Sequence, residues 1–157
     1  MKRDPAPAGL AAVLTIFLTS CASLTAPETD AKFSSCAAYA PAYQVTDEFM
    51  RTFNTKNPEA WAATFHFPSV RIASGQVRII NSPADLDPFN NLEASGWHHS
   101  GWAKREVVQC GPTKAHMLTN FVRYRADGSV LSQYDSLYIV EFKNDRWALT
   151  ARSSFAP

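Results

Sequence analysis

The sequence predicts an α+β domain. Helical periodicity is confined to the first half of the chain. After Trp102 the pattern becomes β throughout, with four strands divided by short turn signals. Strands joined by short turns pair with antiparallel neighbours, so the second half reads as a meander. The chain has 157 residues, 46% hydrophobic and 18% charged, with a formal net charge of +1. These values fit one globular domain and exclude a highly charged disordered tail. Near-neutral charge also argues against a nucleic-acid partner, which requires clustered Lys and Arg.

The N-terminus reads as an address. Met1-Lys2-Arg3 is a basic start, and residues 8–18 form the charge-free run AGLAAVLTIFL. That run has the length of a signal-peptide core and is too short to span a bilayer. Leu18-Thr19-Ser20-Cys21 resembles the bacterial lipobox. The resemblance implies cleavage before Cys21, acylation of that cysteine and anchoring through several acyl chains. Ala22 after the cysteine resembles outer-membrane sorting in enteric bacteria. The expected location is therefore the bacterial cell envelope, on the periplasmic side of the outer membrane if Gram-negative, with membrane contact through the N-terminal lipid alone. An ordinary secretory leader cut near Ser20 or Ser23 is the alternative, and would leave a secreted or periplasmic soluble protein. The expected division is a signal peptide over 1–20, a lipidated Cys and flexible tether over 21–42, and the domain over 43–157.

In the domain, Thr46 is an expected N-cap, with Asp47 and Glu48 suited to a helix N-terminus. Val45, Phe49 and Phe53 share one face of a helix to about Thr55. Asn57-Pro58 pairs a cap with a first-turn proline and opens a second short helix through Trp61 and Ala62. His66–Ala73 and Gln76–Ile80 read as strands about the Ser74-Gly75 turn. Ser82-Pro83 opens another helical stretch, which Pro88 kinks or splits and Gly96 stops. The last four strands are Arg105–Cys110, Lys114–Arg125, Val130–Lys143 and Arg146–Phe155. Gly111-Pro112, Asp127-Gly128 and Asn144-Asp145 are their turns.

This order resembles the nuclear transport factor 2-like superfamily. FMRTFNTKNPEAWAATFHFPSVRIASG is similar to the superfamily's opening, and FKNDRWALTARSSF to its last hairpin. SnoaL-like and uncharacterised secreted domains are the branch it most resembles. The resemblance implies a cone, with helices packed on a strongly curved, mostly antiparallel sheet and a working site in the hollow. Superfamily members include isomerases, dehydratases, hydrolases, cyclases and non-enzymatic binders, so fold alone does not assign function.

Individual residues narrow the choice. Steroid-type isomerisation needs a carboxylate near the end of the first strand, and residues 70–75 hold none. Epoxide hydrolysis needs two carboxylates with an Arg; Asp135 and Arg152 supply half of that set. His98, within the Trp97-His98-His99-Ser100-Gly101-Trp102 cluster, and Asp135 are the acid/base pair if the protein is an enzyme. Trp97 and Trp102 also read as plugs for the open end of the cone. Tyr134 and Ser136 share one strand face and Asp135 the other; both faces are mixed, and alternation alone does not choose the inner one. Asp135 reads first as the structural partner of Arg123, Arg125 or Arg152.

Tyr134, Ser136, Arg152, Trp97 and His66 are the candidate ligand contacts. Arg152 is a clamp for an acidic group, and His66 is first a packed histidine. His66, His98, His99 and His116 lack metal-ligand spacing, and no nucleotide fingerprint occurs, so neither metal nor cofactor is expected. An exported Cys36 and Cys110 can form a disulfide or remain two thiols. The expected partner is a small apolar or amphipathic molecule. A SnoaL-like enzyme doing acid/base isomerisation, dehydration or cyclisation is the alternative, and a dimeric protein-interaction module working through the sheet face is the third reading.

Overall fold

A computed structural model describes residues 32–86 and 89–157, together with Met1. The leader, Cys21, the tether up to residue 31 and Pro88 lie outside the described residues. Helix α1 spans Tyr39–Asn54 and α2 spans Pro58–Ala62. Strand β1 covers Phe65–Ala73, followed by β2 over Gln76–Ile80. A 3-10 turn at Pro83–Asp85 and helix α3 at Phe89–Ala94 precede the meander. The meander consists of β3 at His99–Cys110, β4 at Lys114–Tyr124, β5 at Val130–Lys143 and β6 at Arg146–Ser154.

The six strands form one sheet in the order β2-β1-β6-β5-β4-β3. Every pair is antiparallel except β1 and β6, which run parallel. Register breaks occur along β3, at the ends of β4 and β5, and along β6. An extra residue on one strand bends it and increases local twist, which curls the sheet around α1. The result is the expected α+β cone. Phe49 and Phe53 of α1 enter its hollow and pack on Trp61, Phe65 and Tyr138 at centroid distances of 5.2–5.7 Å.

Two boundaries differ from expectation by several residues. Helix α1 begins at Tyr39, so Thr46 is an interior residue and no cap, and the tether does not extend to residue 42. Ala38 and Ala42 are fully buried, and Cys36 is disulfide-bonded to Cys110 with a Cα–Cα distance of 6.2 Å. Small residues at that spacing let the first turn lie close against the sheet. Thr46 donates its hydroxyl to the Ala42 carbonyl at 2.9 Å and accepts from Arg105 at 3.0 Å, so its polarity is satisfied inside the helix.

The second boundary is β3, which begins at His99 rather than Arg105. His99–Trp102 pair with Phe121–Tyr124, so all of the Trp97–Trp102 cluster but Trp97 and His98 is strand. Mixed polar and small residues hid that pairing. Elsewhere local chemistry behaves as read. Asn57 accepts from the Ala60 amide at 3.0 Å, and Gly75 and Gly96 take positive φ of +70° and +86° at their turns.

Candidate functional site

Residues opposite one another on paired strands project to the same sheet face. Tyr138 of β5 faces Arg152 of β6. Arg152 faces Arg71 of β1, and Arg71 faces Arg78 of β2. Three arginines and a tyrosine therefore form one row across four adjacent strands, on the concave side. Arg152 reaches that side through an irregularity in β6. Val140 pairs with Leu149, but the next residue back on β5, Ile139, pairs with Ala151. The extra residue, Thr150, resets the alternation, so Leu149 and Arg152 both face inward.

Helices α1 and α2 close the opposite wall with Phe49, Met50, Phe53 and Trp61. A cavity of about 490 Å³ remains between them and the arginine row, with Arg123, Ser154 and Asp85 also on its lining. This is within the usual size of small-molecule sites. Its chemistry divides: aromatic rings on the helical side, guanidinium groups on the sheet side.

Arg152 is 7% exposed. Its guanidinium carbon lies 5.0–5.8 Å from the ring centroids of Phe49, Trp61, Phe65 and Tyr138. Negative ring faces hold a cation without neutralising it. Among the described residues no side-chain carboxylate pairs with Arg71, Arg78, Arg123 or Arg152. Arg71 donates to the Pro157 backbone oxygen at 3.0 Å. Burial, then repulsion from Arg152, push its guanidinium down to about 10. Burial also lowers Arg123, whose Nε is buried without a partner. Arg123 stacks its charge over Tyr134 at 5.2 Å and Phe121 at 5.7 Å.

The residues expected from sequence separate into those at the hollow and those away from it. Arg152 is at its centre. Ser136 is on the concave face and donates to Ser154 Oγ at 2.8 Å, one residue behind the lining. Tyr134 stands beside Phe121, with ring centroids 5.7 Å apart, and lies behind Phe121 and Arg123, which line the cavity. Trp97 is packed under Phe53 and Phe89, and its Nε1 donates to Ser100 Oγ at 2.9 Å. It is a core residue.

His66 is 2% exposed and holds the Glu141 carbonyl through Nε2 at 3.1 Å. It packs against the far end of β5, away from the hollow. His98 is exposed, and its ring meets the His99 ring, at 3.1 Å between Nδ1 atoms. Asp135 is exposed on the convex face, where Asn120 Nδ2 donates to it at 2.8 Å. His98 and Asp135 thus do not converge, and Asp135 has none of the three expected arginine partners. Alternation along β5 puts Asp135 and Tyr138 on opposite faces, and Trp97 anchors the backbone before His98 so that His98 points to solvent.

Sequence reasoning missed Arg71, Arg78, Arg123, Phe49 and Trp61 as cavity residues. A signal existed in β1 and β2. Arg71 and Arg78 alternate there with Ile72, Val77 and Ile79, and the apolar partners were the natural inward set. The fold places them outward, with Ile72, Val77 and Ile79 exposed by 46%, 67% and 55%.

A family model described as "NTF2-like protein (DUF6841)" matches residues 42–155. No curated protein matches the chain significantly. Solved structures share the fold at low identity. A protein of unknown function with a cystatin-like fold from Nostoc punctiforme aligns with a TM-score of 0.60 at 12% identity, over 73% of this chain and 86% of that one. An NTF-2 like protein of unknown function from Shewanella oneidensis aligns with a TM-score of 0.58 at 15% identity, over 74% and 97%. A ketosteroid isomerase-like protein from Erwinia carotovora aligns with a TM-score of 0.55 at 17% identity, over 76% and 98%.

Proposed function

The chain belongs to the NTF2-like protein family (DUF6841), and we propose that its cone binds a small amphipathic molecule on a domain exported to the bacterial envelope. The observation that carries this reading is the cavity of about 490 Å³ with aromatic rings on one wall and arginines on the other. Apolar pockets with a few convergent polar groups are the usual form of small-molecule sites. Export and lipid anchoring rest on the basic start, the charge-free run and Leu18-Thr19-Ser20-Cys21.

A binder is favoured over an acid/base enzyme by the lining itself. Among the described residues Asp85 is the sole side-chain carboxylate of the cavity wall, and no histidine contributes. Asp85 Oδ2 already accepts from the Asn81 and Ser82 amides at 2.8 and 3.0 Å. Asp85 is anchored through Oδ2 in its own turn and, among the described residues, no histidine or second side-chain carboxylate stands in the wall to complete an acid/base pair. Native mass spectrometry of the purified protein, followed by a thermal-shift screen of amphipathic metabolites, tests the proposal. A retained molecule, or a rise in melting temperature for one chemical class, supports it. A protein that carries nothing and responds to nothing refutes it.

A homodimer is the second reading, favoured by the convex face. Leu118 and Phe155 are exposed there by 45% and 84%, beside Leu137 around a depression of about 230 Å³. Light scattering distinguishes a dimer from a monomer, and Leu118→Glu would dissociate a dimer built on this face.

A further inference from the structure

The arginine row goes beyond a generic polar wall. Arg78, Arg71 and Arg152 are direct cross-strand neighbours, an arrangement in which like charges destabilise a sheet. Arg152 is more than nine-tenths buried and, among the described residues, has aromatic rings around it but no hydrogen bond or ion pair. Arg123 adds a buried Nε without a partner. Uncompensated buried charge is costly, and unpaired buried donors are rare. These guanidinium groups remain charged at neutral pH, so loss of a proton does not relieve the cluster there. A bound anion would.

Resting on the proposed small-molecule function, we propose that the ligand is an amphipathic oxyanion, an apolar body ending in a carboxylate or phosphate held by Arg152 and Arg71. The fixed fork of a guanidinium matches two oxygens of either head group. Rings around Arg152 orient that fork and leave it weakly hydrated. The apolar body lies on Phe49, Phe53 and Trp61, opposite the arginine row. Arg78 is exposed at the cavity edge and attracts the anion on entry, a role that weakens as salt rises.

The test uses the full-length protein in phosphatidylcholine nanodiscs, with 2-naphthoate, 2-naphthyl phosphate, 2-naphthol and inorganic phosphate as probes, followed by calorimetry. The naphthyl anions should bind at least about tenfold more tightly than naphthol, the value of one charge-assisted hydrogen bond. Arg152→Met should remove that advantage, so that the naphthyl anions and naphthol bind alike. Arg152→Lys keeps the charge but loses the fork, and should recover only part of the advantage; it also serves if the methionine variant does not fold. Preference between the two naphthyl anions identifies the head group.

Equal binding of naphthol and the anions, or anion affinity insensitive to both Arg152 variants, overturns the oxyanion proposal while the small-molecule reading survives. Inorganic phosphate binding as tightly as naphthyl phosphate overturns the amphipathic part. Absence of binding by every probe overturns the proposal, and the metabolite screen then decides whether the small-molecule reading also falls.

Discussion

Arg71 and Arg152 are paired across the parallel β1–β6 junction with both guanidinium groups on the concave face. This is the one parallel pairing in the sheet, and it brings together residues 81 positions apart in sequence. Like charges in such a position weaken the empty protein and favour whatever anion neutralises them.

Replacing Arg71 should therefore stabilise the ligand-free domain. Its depressed pKa reflects burial first and Arg152 second. Both folded and unfolded states are charged at neutral pH, so the penalty is constant there; it declines as pH rises through about 10, where the folded-state group loses its proton. The group is partly exposed, and solvent screening reduces the penalty to about 1 kcal/mol. Arg71→Met should raise the melting temperature of the empty protein by about 3 °C, measured by calorimetry at pH 7. An unchanged or lower value would mean that Arg71 is held at no cost.

The Cys36–Cys110 bridge closes a loop with a sequence separation of 74. Loop-closure entropy for a cross-link of that span is worth about 4 kcal/mol. Cys36→Ser/Cys110→Ser should lower stability by about 2–4 kcal/mol, seen as a lower urea midpoint. Reductant should lower the midpoint of the native protein and leave the double variant unaffected.

Asn54 joins the end of α1 to the start of β3 by two reciprocal bonds. Its Nδ2 donates to the Ser100 carbonyl, and the Ser100 amide donates to its Oδ1, each at 2.8 Å. Asn54→Ala leaves both backbone groups without their partner at a part-buried site and should cost about 2 kcal/mol. Asn54→Asp keeps the acceptor and should cost less. Equilibrium urea unfolding of the pair checks the order.

His66 makes acid stability a readout of its burial. Desolvation lowers its folded pKa below 6.5, and Arg146 and Lys143 lower it further against the opposing Glu141 carbonyl. Below that pH the unfolded state binds the proton more readily, so stability falls as pH drops from 6.5 toward the folded value. His66→Gln should flatten this part of the profile relative to the wild-type protein in melts between pH 7.5 and 5. Parallel profiles would show that His66 does not contribute.

What the sequence determined by itself was local. Asn57-Pro58, Ser74-Gly75 and Asn144-Asp145 set element boundaries through backbone chemistry that acts over a few residues. Periodicity distinguished helix from strand, and the order of elements pointed to the cone. Arg152 was legible as a candidate contact from its place near the end of the last strand. Tertiary structure alone decided which face was inner. The irregularity at Thr150 set the side of Arg152, and β1–β2 turned Arg71 and Arg78 inward and Ile72 and Ile79 outward. Strand alternation gives two faces of equal standing, and only the packing of α1 against one of them makes it the inside. His98 and Asp135 had the right chemistry for catalysis, but a side chain's reach is a few ångströms, and pairing with β4 placed them on solvent.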